Sequence, residues 1–365
     1  MSEWQTFCLK DLGKIVGGAT PSTNNPKNYG DKIAWITPKD LSTLQGRYIK
    51  KGSRSISRLG FKSCSCVLLP KHAILFSSRA PIGYVAIAEK RLCTNQGFKS
   101  IIPNKKIYFE FLYYLLKYHK DNISNIGGGT TFKEVSGATL GLFEVKIPPT
   151  YYEQQKIART LSVLDQKIEN NHKINELLHT LAYKIYEYYF KYKPKNAKLE
   201  QIIIENPKSS IMVKNAQKTQ SKYPFFTSGD NILSYPKSII DGRNCFLNTG
   251  GNAGIKFYVG KASYSTDTWC ICANEFSDYL YLLLSSIKNH INQSFFQGTS
   301  LKHLQKNLLK KYPIYMPSAH EIKKFNQIIM PLLTLISINT RTSKKLEQIR
   351  DFLLPLLLKQ QVKPQ

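Results

Sequence analysis

The sequence is poor in acidic residues. Its 365 residues include 24 Asp and Glu against 52 Lys and Arg, which gives a formal net charge of +28 at pH 7. A surface with so little negative charge predicts a polyanion, a membrane surface or an acidic protein as the partner.

Long apolar segments are also missing. The longest apolar run, IIMPLLTLISI at 328–338, contains Pro331 and is too short to cross a bilayer, so it is interpreted as a buried helix. The N-terminal MSEWQTFCLKDLG has no apolar core of the kind found in signal peptides. We therefore expect neither export nor a membrane as partner.

The seven cysteines do not form a disulfide-like framework. Cys64/Cys66 and Cys270/Cys272 are C-x-C pairs, which suggest metal, but zinc sites normally have a two-residue gap and a second matching pair. Residues i and i+2 of a strand share a face, and both pairs lie in apolar runs, which favours buried strands. The sequence thus predicts reduced thiols, no metal site and a cytoplasmic location.

Hydrophobic and aromatic residues are abundant enough for a folded chain. Hydrophobic residues make up 42% and aromatic residues 12% of the sequence. This composition predicts two or three compact units with hydrophobic cores and argues against disorder.

A helix-forming stretch occurs twice, at 153–189 and at 321–357. In both copies apolar residues recur at spacings of four and three, which is the seam of a coiled coil. The predicted seam residues are Ile157, Leu161, Leu164, Ile168, Asn171, Asn175, Leu178 and Ile185 in the first copy, and Phe325, Ile329, Leu332, Ile336, Asn339, Leu346 and Leu353 in the second.

Two such helices, separated by a compact block, most simply pair antiparallel, and a pseudo-twofold axis would then relate the two halves. Polar residues interrupt both seams at the same two central positions, and a buried polar layer fixes the register of such a pair. Simple solvation of these residues is the alternative. The polar positions are Asn171 and Asn175, facing Asn339 and Ser343. The second copy contains Pro331 and Pro355, which are expected to bend it because each lacks a backbone donor.

Each long helix follows a block of short apolar strands, Gly/Pro turns and one aromatic helix. The order of these elements is the same in both blocks. The sequence therefore predicts an α+β protein, with two mixed α/β domains separated by two long helices that form an antiparallel coiled coil. The predicted boundaries are 1–150 for the first domain, 151–195 for the first helix, 196–317 for the second domain, and 318–365 for the second helix and tail.

Polar loops follow the strands at equivalent places in the two domains and differ in chemistry. Bases are read by side chains with paired donors and acceptors, and Arg79, which follows an apolar strand, suits guanine. Turn formation is the alternative for each Ser, Thr, Asn or Asp. The predicted DNA-contacting residues of these loops are Thr37, Lys39, Ser78, Arg79, Asn95 and Gln96 in the first domain, and Ser228, Asp230, Asn231, Asn252 and Thr266 in the second.

Each domain ends in a G-T-[TS]-x-K segment, at 129–133 and at 298–302. The spacing differs from that of the G-x-x-x-x-G-K-[ST] phosphate loop, so nucleotide hydrolysis is not expected. Contact with DNA phosphates is the interpretation, and a purely structural loop is the alternative. The residues concerned are Thr130, Thr131 and Lys133, and Thr299, Ser300 and Lys302.

No catalytic constellation is evident. The sequence has no G-x-G-x-x-G after a strand to hold a cofactor, and no N-P-P-Y-like tetrapeptide for amino methylation. Glu144 and Lys146 form an E-x-K fragment of the kind found in nucleases, but the repeated segment near Lys311 lacks a carboxylate. We therefore predict that this chain has no catalytic residue and binds no cofactor.

The order of these features resembles the specificity subunit of type I restriction–modification enzymes. The resemblance covers nearly the whole chain. It is carried by the two α+β blocks, the G-T-[TS]-x-K segments, the proline-ended strands KIPP and IYMP, the helix start E-Q-Q-K-I-A, and the run LFSSRAPIGYVAIAEK…TNQGF. The second helix departs from the pattern, with E-I-K-K-F at 321–325 and two internal prolines.

This resemblance implies that each α/β domain is a target-recognition domain that reads one half of a bipartite site on double-stranded DNA. It implies that the helices set the gap between the halves and bind two methyltransferase subunits, which use S-adenosylmethionine. A motor/nuclease restriction subunit would complete the complex. The alternatives are a specificity subunit for a fused nuclease–methyltransferase, a stand-alone nuclease acting through Glu144 and Lys146, and a coiled-coil adaptor that does not bind DNA.

Overall fold

The structure is a computed structural model that describes residues 3–79, 81–129, 133–216 and 222–364. The chain divides into two compact units: unit 1 is Met1–Asn170 with Lys344–Gln365, and unit 2 is Asn171–Ser343. The division falls inside the two long helices, so each helix contributes residues to both units. Within the described ranges, no helix is long and apolar enough to cross a membrane.

Unit 1 is built from short strands around one aromatic helix. Its sheets have the strand orders β2-β9-β6-β7-β4, β5-β3-β8 and β1-β10. The elements are β1 (Gln5–Cys8), α1 (Leu9–Leu12), β2 (Gly13–Gly17), β3 (Tyr29–Ile36), α2 (Pro38–Ser42), β4 (Tyr48–Ile49), β5 (Arg54–Ile56), α3 (Arg58–Lys62), β6 (Ile74–Phe76), β7 (Val85–Ala88), β8 (Cys93–Thr94), β9 (Lys99–Pro103), α4 (Phe109–Asn125), α5 (Gly137–Gly141), β10 (Glu144–Ile147) and the first long helix, α6 (Tyr151–Tyr186).

Unit 2 follows the same plan after a π-helical turn, Glu187–Lys191. Its sheets have the strand orders β12-β18-β15-β16, β14-β13-β17, β11-β21 and β19-β20. The elements are β11 (Ala197–Lys198), β12 (Ile204–Glu205), α7 (Val213–Ala216), β13 (Tyr223–Phe226), β14 (Leu233–Tyr235), β15 (Arg243–Asn248), β16 (Ile255–Val259), β17 (Ser263–Tyr264), β18 (Thr268–Cys272), α8 (Ser277–Ser286), α9 (Lys288–Ser294), β19 (Phe296–Gln297), β20 (His303–Leu304), α10 (Lys306–Lys310), β21 (Pro313–Ile314) and the second long helix, α11 (Ala319–Leu358).

Two pairings show that the units repeat one construction. β3 pairs in parallel with β8, where Ile36 lies opposite Thr94, and β13 pairs in parallel with β17, where Phe226 lies opposite Tyr264. In each unit the first strand pairs antiparallel with the strand that precedes the long helix, β1 with β10 and β11 with β21. The prediction of a duplicated α/β domain is therefore confirmed.

The core of unit 1 forms around α4, whose residues 111–116 are buried at every position. This segment clusters with Ile157 and Leu161 of α6 and with Leu354 and Leu357 of α11. Because both long helices place apolar residues against α4, the helix pair and the strand block of this unit share one core.

The core of unit 2 is aromatic where its long helices meet. Tyr186 and Phe190, at the end of the first long helix, are buried in one cluster with Tyr279 of α8 and Phe325 of α11. The Phe190 ring lies 4.9 Å from the Phe325 ring and 5.3 Å from the Tyr279 ring, both in edge-on contact. Such edge-to-face packing is favourable for aromatic pairs and fixes their relative orientation.

The long helices pair antiparallel within each unit. In unit 1, Arg350 Nη1 of α11 donates to Asp165 Oδ1 of α6 at 2.6 Å. In unit 2, Asn339 Nδ2 donates to Asn175 Oδ1 at 3.0 Å. Residues early in one helix therefore lie beside residues late in the other, which confirms the predicted antiparallel pair. The predicted seam residues are all buried or half-buried.

α11 continues as one helix through Pro331 and Pro355, and the bend expected at these prolines stays a prediction. One local expectation meets a different structure. Cys270 and Cys272 lie on β18, as expected of a strand pair. Cys64 and Cys66, however, follow α3 in an irregular segment. Their apolar run enters the core beside Trp35 and Cys93 without joining a strand ladder, so the prediction of a strand there is wrong.

Candidate nucleic-acid interface

Backbone hydrogen bonds bring the predicted loops of unit 1 together. The Asn95 N–H donates to the Ile36 carbonyl at 2.9 Å, and the Ser78 N–H donates to the Gly97 carbonyl at 2.8 Å. The Val135 N–H in turn donates to the Ser78 carbonyl at 3.0 Å. The loops at 36–37, 77–79, 94–97 and 133–135 therefore meet at one place, which we call junction 1.

The same connections recur in unit 2. The Ser265 N–H donates to the Phe226 carbonyl at 2.9 Å, and the Thr249 N–H donates to the Asp267 carbonyl at 3.2 Å. The Leu304 N–H donates to the Thr249 carbonyl at 3.0 Å. The loops at 226–228, 248–250, 264–267 and 302–304 form junction 2.

The two junctions share a backbone and differ in side chains. An isolated antiparallel bridge joins Arg79 to Glu134 in junction 1, and the equivalent bridge in junction 2 joins Gly250 to His303. One scaffold thus presents an ion pair in unit 1 and a glycine beside an imidazole in unit 2. Such a scaffold can present different donor and acceptor patterns to two different ligands of one class.

Some predicted residues of junction 1 are engaged in local structure. Thr37 caps α2, with its hydroxyl donating to Asp40 Oδ2 at 2.7 Å. Burial alone raises the pKa of Asp40, but hydrogen bonds from Ser53 and Thr37 lower it below its ordinary value. Ser78 is fully buried and its hydroxyl donates to the Gly97 carbonyl at 3.3 Å. Asn95 Oδ1 accepts from the Gly97 N–H, which is the turn role weighed for it.

Other predicted residues of unit 1 present their side chains to solvent. Lys39, Gln96 and Lys133 are exposed, and Arg79 is half-exposed. Gln96 also accepts a hydrogen bond from the Thr20 hydroxyl. Thr130 and Thr131 lie outside the described residues. DNA contact remains a prediction for every one of these positions.

The predicted residues of unit 2 are mostly exposed. Ser228 is the exception: its hydroxyl donates to the Asp267 carbonyl and accepts from the Thr249 N–H at 3.2 Å. The Lys302 carbonyl accepts from the Gly251 N–H at 2.9 Å, which ties the G-T-[TS]-x-K segment to the junction while the lysine side chain stays exposed. The remaining predicted residues with exposed side chains are Asp230, Asn231, Asn252, Thr266, Thr299 and Ser300.

Lys256 is a junction residue that the sequence reasoning missed. Its ammonium group donates to the Thr227 carbonyl at 2.8 Å and to Asn248 Oδ1 at 3.2 Å. Burial lowers the pKa of Lys256. Its strand, β16, shows no signal beyond one charge among apolar residues, so only alignment of the two units could have pointed to it.

Buried arginines attach each strand block to a long helix of the same unit. In unit 1 the Arg47 Nε donates to Glu169 of α6 at 3.1 Å, and its Nη1 donates to Glu110 of α4 at 3.0 Å. In unit 2 Arg243 pairs with Asp278 of α8 and donates to Thr334 of α11 at 2.9 Å. The strand block that carries each junction is therefore tied to a long helix of its own unit by charged hydrogen bonds.

The nuclease alternative depends on Glu144 and Lys146. Glu144 and Lys146 are exposed on β10. Throughout the part of the chain that the structure describes, no group of three or more His, Cys, Asp or Glu side chains is placed to hold a metal ion.

Comparison with known proteins identifies the relatives of this chain. The family model described as a type I restriction modification DNA specificity domain matches residues 1–180 and again 195–348. The type I restriction enzyme MjaIX specificity subunit of Methanocaldococcus jannaschii is 33% identical, over 98% of this chain and 93% of its own. The HindI specificity subunit of Haemophilus influenzae is 32% identical over 46% of this chain and 37% of its own.

A solved structure shares the fold. The S subunit of a type I restriction–modification system from M. genitalium superposes with a TM-score of 0.64 at 18% identity, covering 97% of this chain and 96% of its own. At 18% identity this structural similarity shows only that the two proteins share the arrangement of helices and strands.

Proposed function

The chain belongs to the type I restriction–modification DNA specificity family, and we propose that each unit reads one half of a bipartite DNA site. The observation that carries the proposal is the pair of junctions. Equivalent hydrogen bonds build both, yet Arg79 and Glu134 in one stand where Gly250 and His303 stand in the other. Two readers on one scaffold with different side chains suit a site whose halves differ.

Phosphate contact supplies the affinity in this proposal. The net charge of +28 suits a polyanion, and lysines at both junctions, Lys133 and Lys302, are exposed. Charge-driven binding releases counterions, so DNA affinity should fall steeply with salt. Salt-insensitive binding would favour the adaptor alternative.

As a specificity subunit, the chain is not an enzyme, and the chemistry falls to partners. We propose that it directs two methyltransferase subunits, which bind S-adenosylmethionine, and that a motor/nuclease subunit joins them for restriction. A fused nuclease–methyltransferase is the other form that this partner could take, and co-purification distinguishes the two.

We propose the long helices as the docking surface for the methyltransferase subunits. In unit 2 the α6 side chains Ile174, Leu177 and Leu181 are exposed, and Leu177 reaches 71% of its full exposure. Apolar residues at this helical spacing suit a helix-in-groove or helix-on-helix contact with a partner. The same helices would set the gap between the half-sites.

The test is to co-express the full chain with its methyltransferase and to sequence the modified bases. A bipartite motif with a gap of fixed length is the expected result. Methylation without sequence preference, or at an uninterrupted motif, contradicts the proposal.

Two variants separate the roles of the parts. Replacing 196–317 with the corresponding block of another specificity subunit should change one half of the motif and leave the other half and the gap unchanged. Lengthening both long helices by matched turns should change the gap and leave both halves unchanged.

A further inference from the structure

The ion pair in junction 1 has a carboxylate, that of Glu134, which is held by several contacts. The Glu134 backbone exchanges two hydrogen bonds with Gly128, at 2.8 and 3.1 Å, so its Cα is fixed. Lys99 Nζ donates to Glu134 Oε1 at 3.2 Å. The second carboxylate oxygen, Oε2, faces Arg79 Nη1 at 3.7 Å. The carboxylate is thus anchored by its backbone and by Lys99 before it meets the guanidinium.

This pair differs from the other arginine–carboxylate pairs that the structure describes. The side chains of Arg47, Arg350 and Arg243 are 5%, 13% and 17% exposed, and they stabilise the interior. The Arg79 side chain is 37% exposed, as is that of Glu134. Within residues 3–79, 81–129, 133–216 and 222–364, the polar contact of the Arg79 guanidinium is this ion pair at 3.7 Å, which is longer than a hydrogen bond. Its donors remain available to a ligand.

Junction 2 has the same bridge without an arginine. Gly250 occupies the place of Arg79 and His303 the place of Glu134. A side chain fits there, because a Cβ built on Gly250 would lie 3.9 Å from the nearest atoms, His303 Nδ1 and the Lys302 carbonyl oxygen. The difference between the junctions is therefore chemical and is not imposed by space.

We propose that Glu134 is a positioning residue that orients the Arg79 guanidinium to read one guanine in the half-site of unit 1. The proposal rests on the proposed function and adds the residue pair that determines one base. Arginine binds guanine through two parallel hydrogen bonds to O6 and N7, which requires the plane of the guanidinium to match the plane of the base. A carboxylate held beside one edge of the guanidinium restricts the rotation of the guanidinium and leaves its remaining N–H donors for the base.

The loss test compares variants of the full chain co-expressed with the methyltransferase. Arg79→Ala should reduce the preference for guanine at one position of one half-site about tenfold, and Glu134→Gln about threefold at that same position. Glu134→Gln in the Arg79→Ala background should cause no further relaxation. Glu144→Gln, which removes an exposed carboxylate on β10 of the same unit, is the matched control and should leave the motif unchanged.

The gain test uses unit 2. Gly250→Arg together with His303→Glu should create a new guanine preference at one position of the other half-site. Gly250→Arg alone should raise affinity for all sequences and give a weaker preference. Thermal melting of each variant shows whether the fold is retained.

The outcomes separate this inference from the proposed function. If the wild-type assembly methylates no bipartite motif, the proposed function fails. If that motif is found and Glu134→Gln tightens binding to all DNA without relaxing any position, Glu134 only neutralises Arg79 and the inference is overturned. If Glu134→Gln weakens the base preference at every position of the half-site, Glu134 has a structural role, and the inference is also overturned.

Discussion

Units 1 and 2 repeat the same elements but hold their long helices by different chemistry. In unit 1 the contacts carry charge: buried Asp165 of α6 accepts from Arg350 of α11 at 2.6 Å and from the Tyr114 hydroxyl at 2.5 Å. In unit 2 the facing groups are neutral, and Asn339 donates to Asn175 at 3.0 Å.

The two helix contacts should therefore differ in how much stability is lost when one partner is removed. A buried charge that loses its counterion keeps its full desolvation penalty, whereas an amide that loses a neutral partner keeps a much smaller one. Burial, reinforced by the nearby Asp165, raises the pKa of Tyr114, so this phenol stays protonated and continues to donate. The contact between the two long helices of unit 1 therefore depends on a complete ion pair, whereas the neutral Asn175–Asn339 contact of unit 2 tolerates exchange.

The largest effect is expected from Arg47→Ala, because Glu169 and Glu110 would stay buried without their cation. The substitution should cost unit 1 about 3–5 kcal/mol of stability. Hydrogen exchange resolved by peptide should show lost protection in unit 1. Arg91→Ala, at an exposed arginine of the same unit, is the control and should change stability by less than about 0.5 kcal/mol. Equal loss of protection in unit 2 would contradict this assignment.

A double-mutant cycle at Asp165 and Arg350 should give the next largest effect. Arg350→Met should cost about 1.5–3 kcal/mol, because a hydrogen bond to a buried carboxylate is lost. Asp165→Asn should cost a similar amount, and the coupling energy from denaturant unfolding should be about 1–3 kcal/mol. Additive losses would show that the two side chains do not stabilise each other.

Substitutions in the neutral layer of unit 2 should change stability less. Replacing both Asn175 and Asn339 should cost less stability than replacing Asn175 alone. Asn175→Leu alone should cost about 1 kcal/mol, because Asn339 loses its acceptor. Asn175→Leu with Asn339→Leu should recover that loss or exceed wild-type stability in urea unfolding, since both polar groups are then removed. A double variant less stable than the single one would mean that the amide pair itself is strongly stabilising.

The smallest effect concerns the start of α11 and is a pH dependence. Hydrogen bonds from the Ser318 backbone and the Tyr315 hydroxyl lower the pKa of Glu321 to about 2, below its ordinary value of 4.5. Because the pKa of Glu321 is lower in the folded than in the unfolded protein, its carboxylate stabilises the fold at pH values above about 4.5. This stabilisation is lost as the pH falls from about 4.5 to about 2. Glu321→Gln should lower Tm by about 1 °C at pH 7, because the group is near solvent. The melting curves of the two proteins should converge near pH 2, and a difference that persists there would contradict the assignment.

Periodic features were the predictable part of the fold. The stretches predicted at 153–189 and 321–357 appear as α6, Tyr151–Tyr186 with its π-helical turn, and α11, Ala319–Leu358. Apolar spacing is a property of neighbouring residues, so it survives in the sequence whatever the rest of the chain does. The loops of the junctions were also foreseeable as loops, because turn formers follow apolar strands at equivalent places in both domains.

Long-range polar pairs were not predictable. Glu169 lies among other polar residues of the first long helix, and Arg47 lies in a turn with no periodic signal, yet the two are hydrogen-bonded across the unit 1 interior. For Ser78 and Asn95 the sequence left DNA contact and turn formation open, and only the folded chain shows that both polar groups bind the backbone of Gly97. Such partners are set by how strands and helices pack, and residue type alone does not reveal them.

The class of fold, the duplication and the excess of positive charge could be predicted from the residues alone, because each follows from local spacing, repetition or composition. The tertiary structure alone decided which loops meet, which arginines are buried and which one stays open beside an anchored carboxylate. Those outcomes depend on contacts between residues far apart in the chain, such as Arg79 and Glu134, whose approach exists only once β6 and the loop after α4 have packed together.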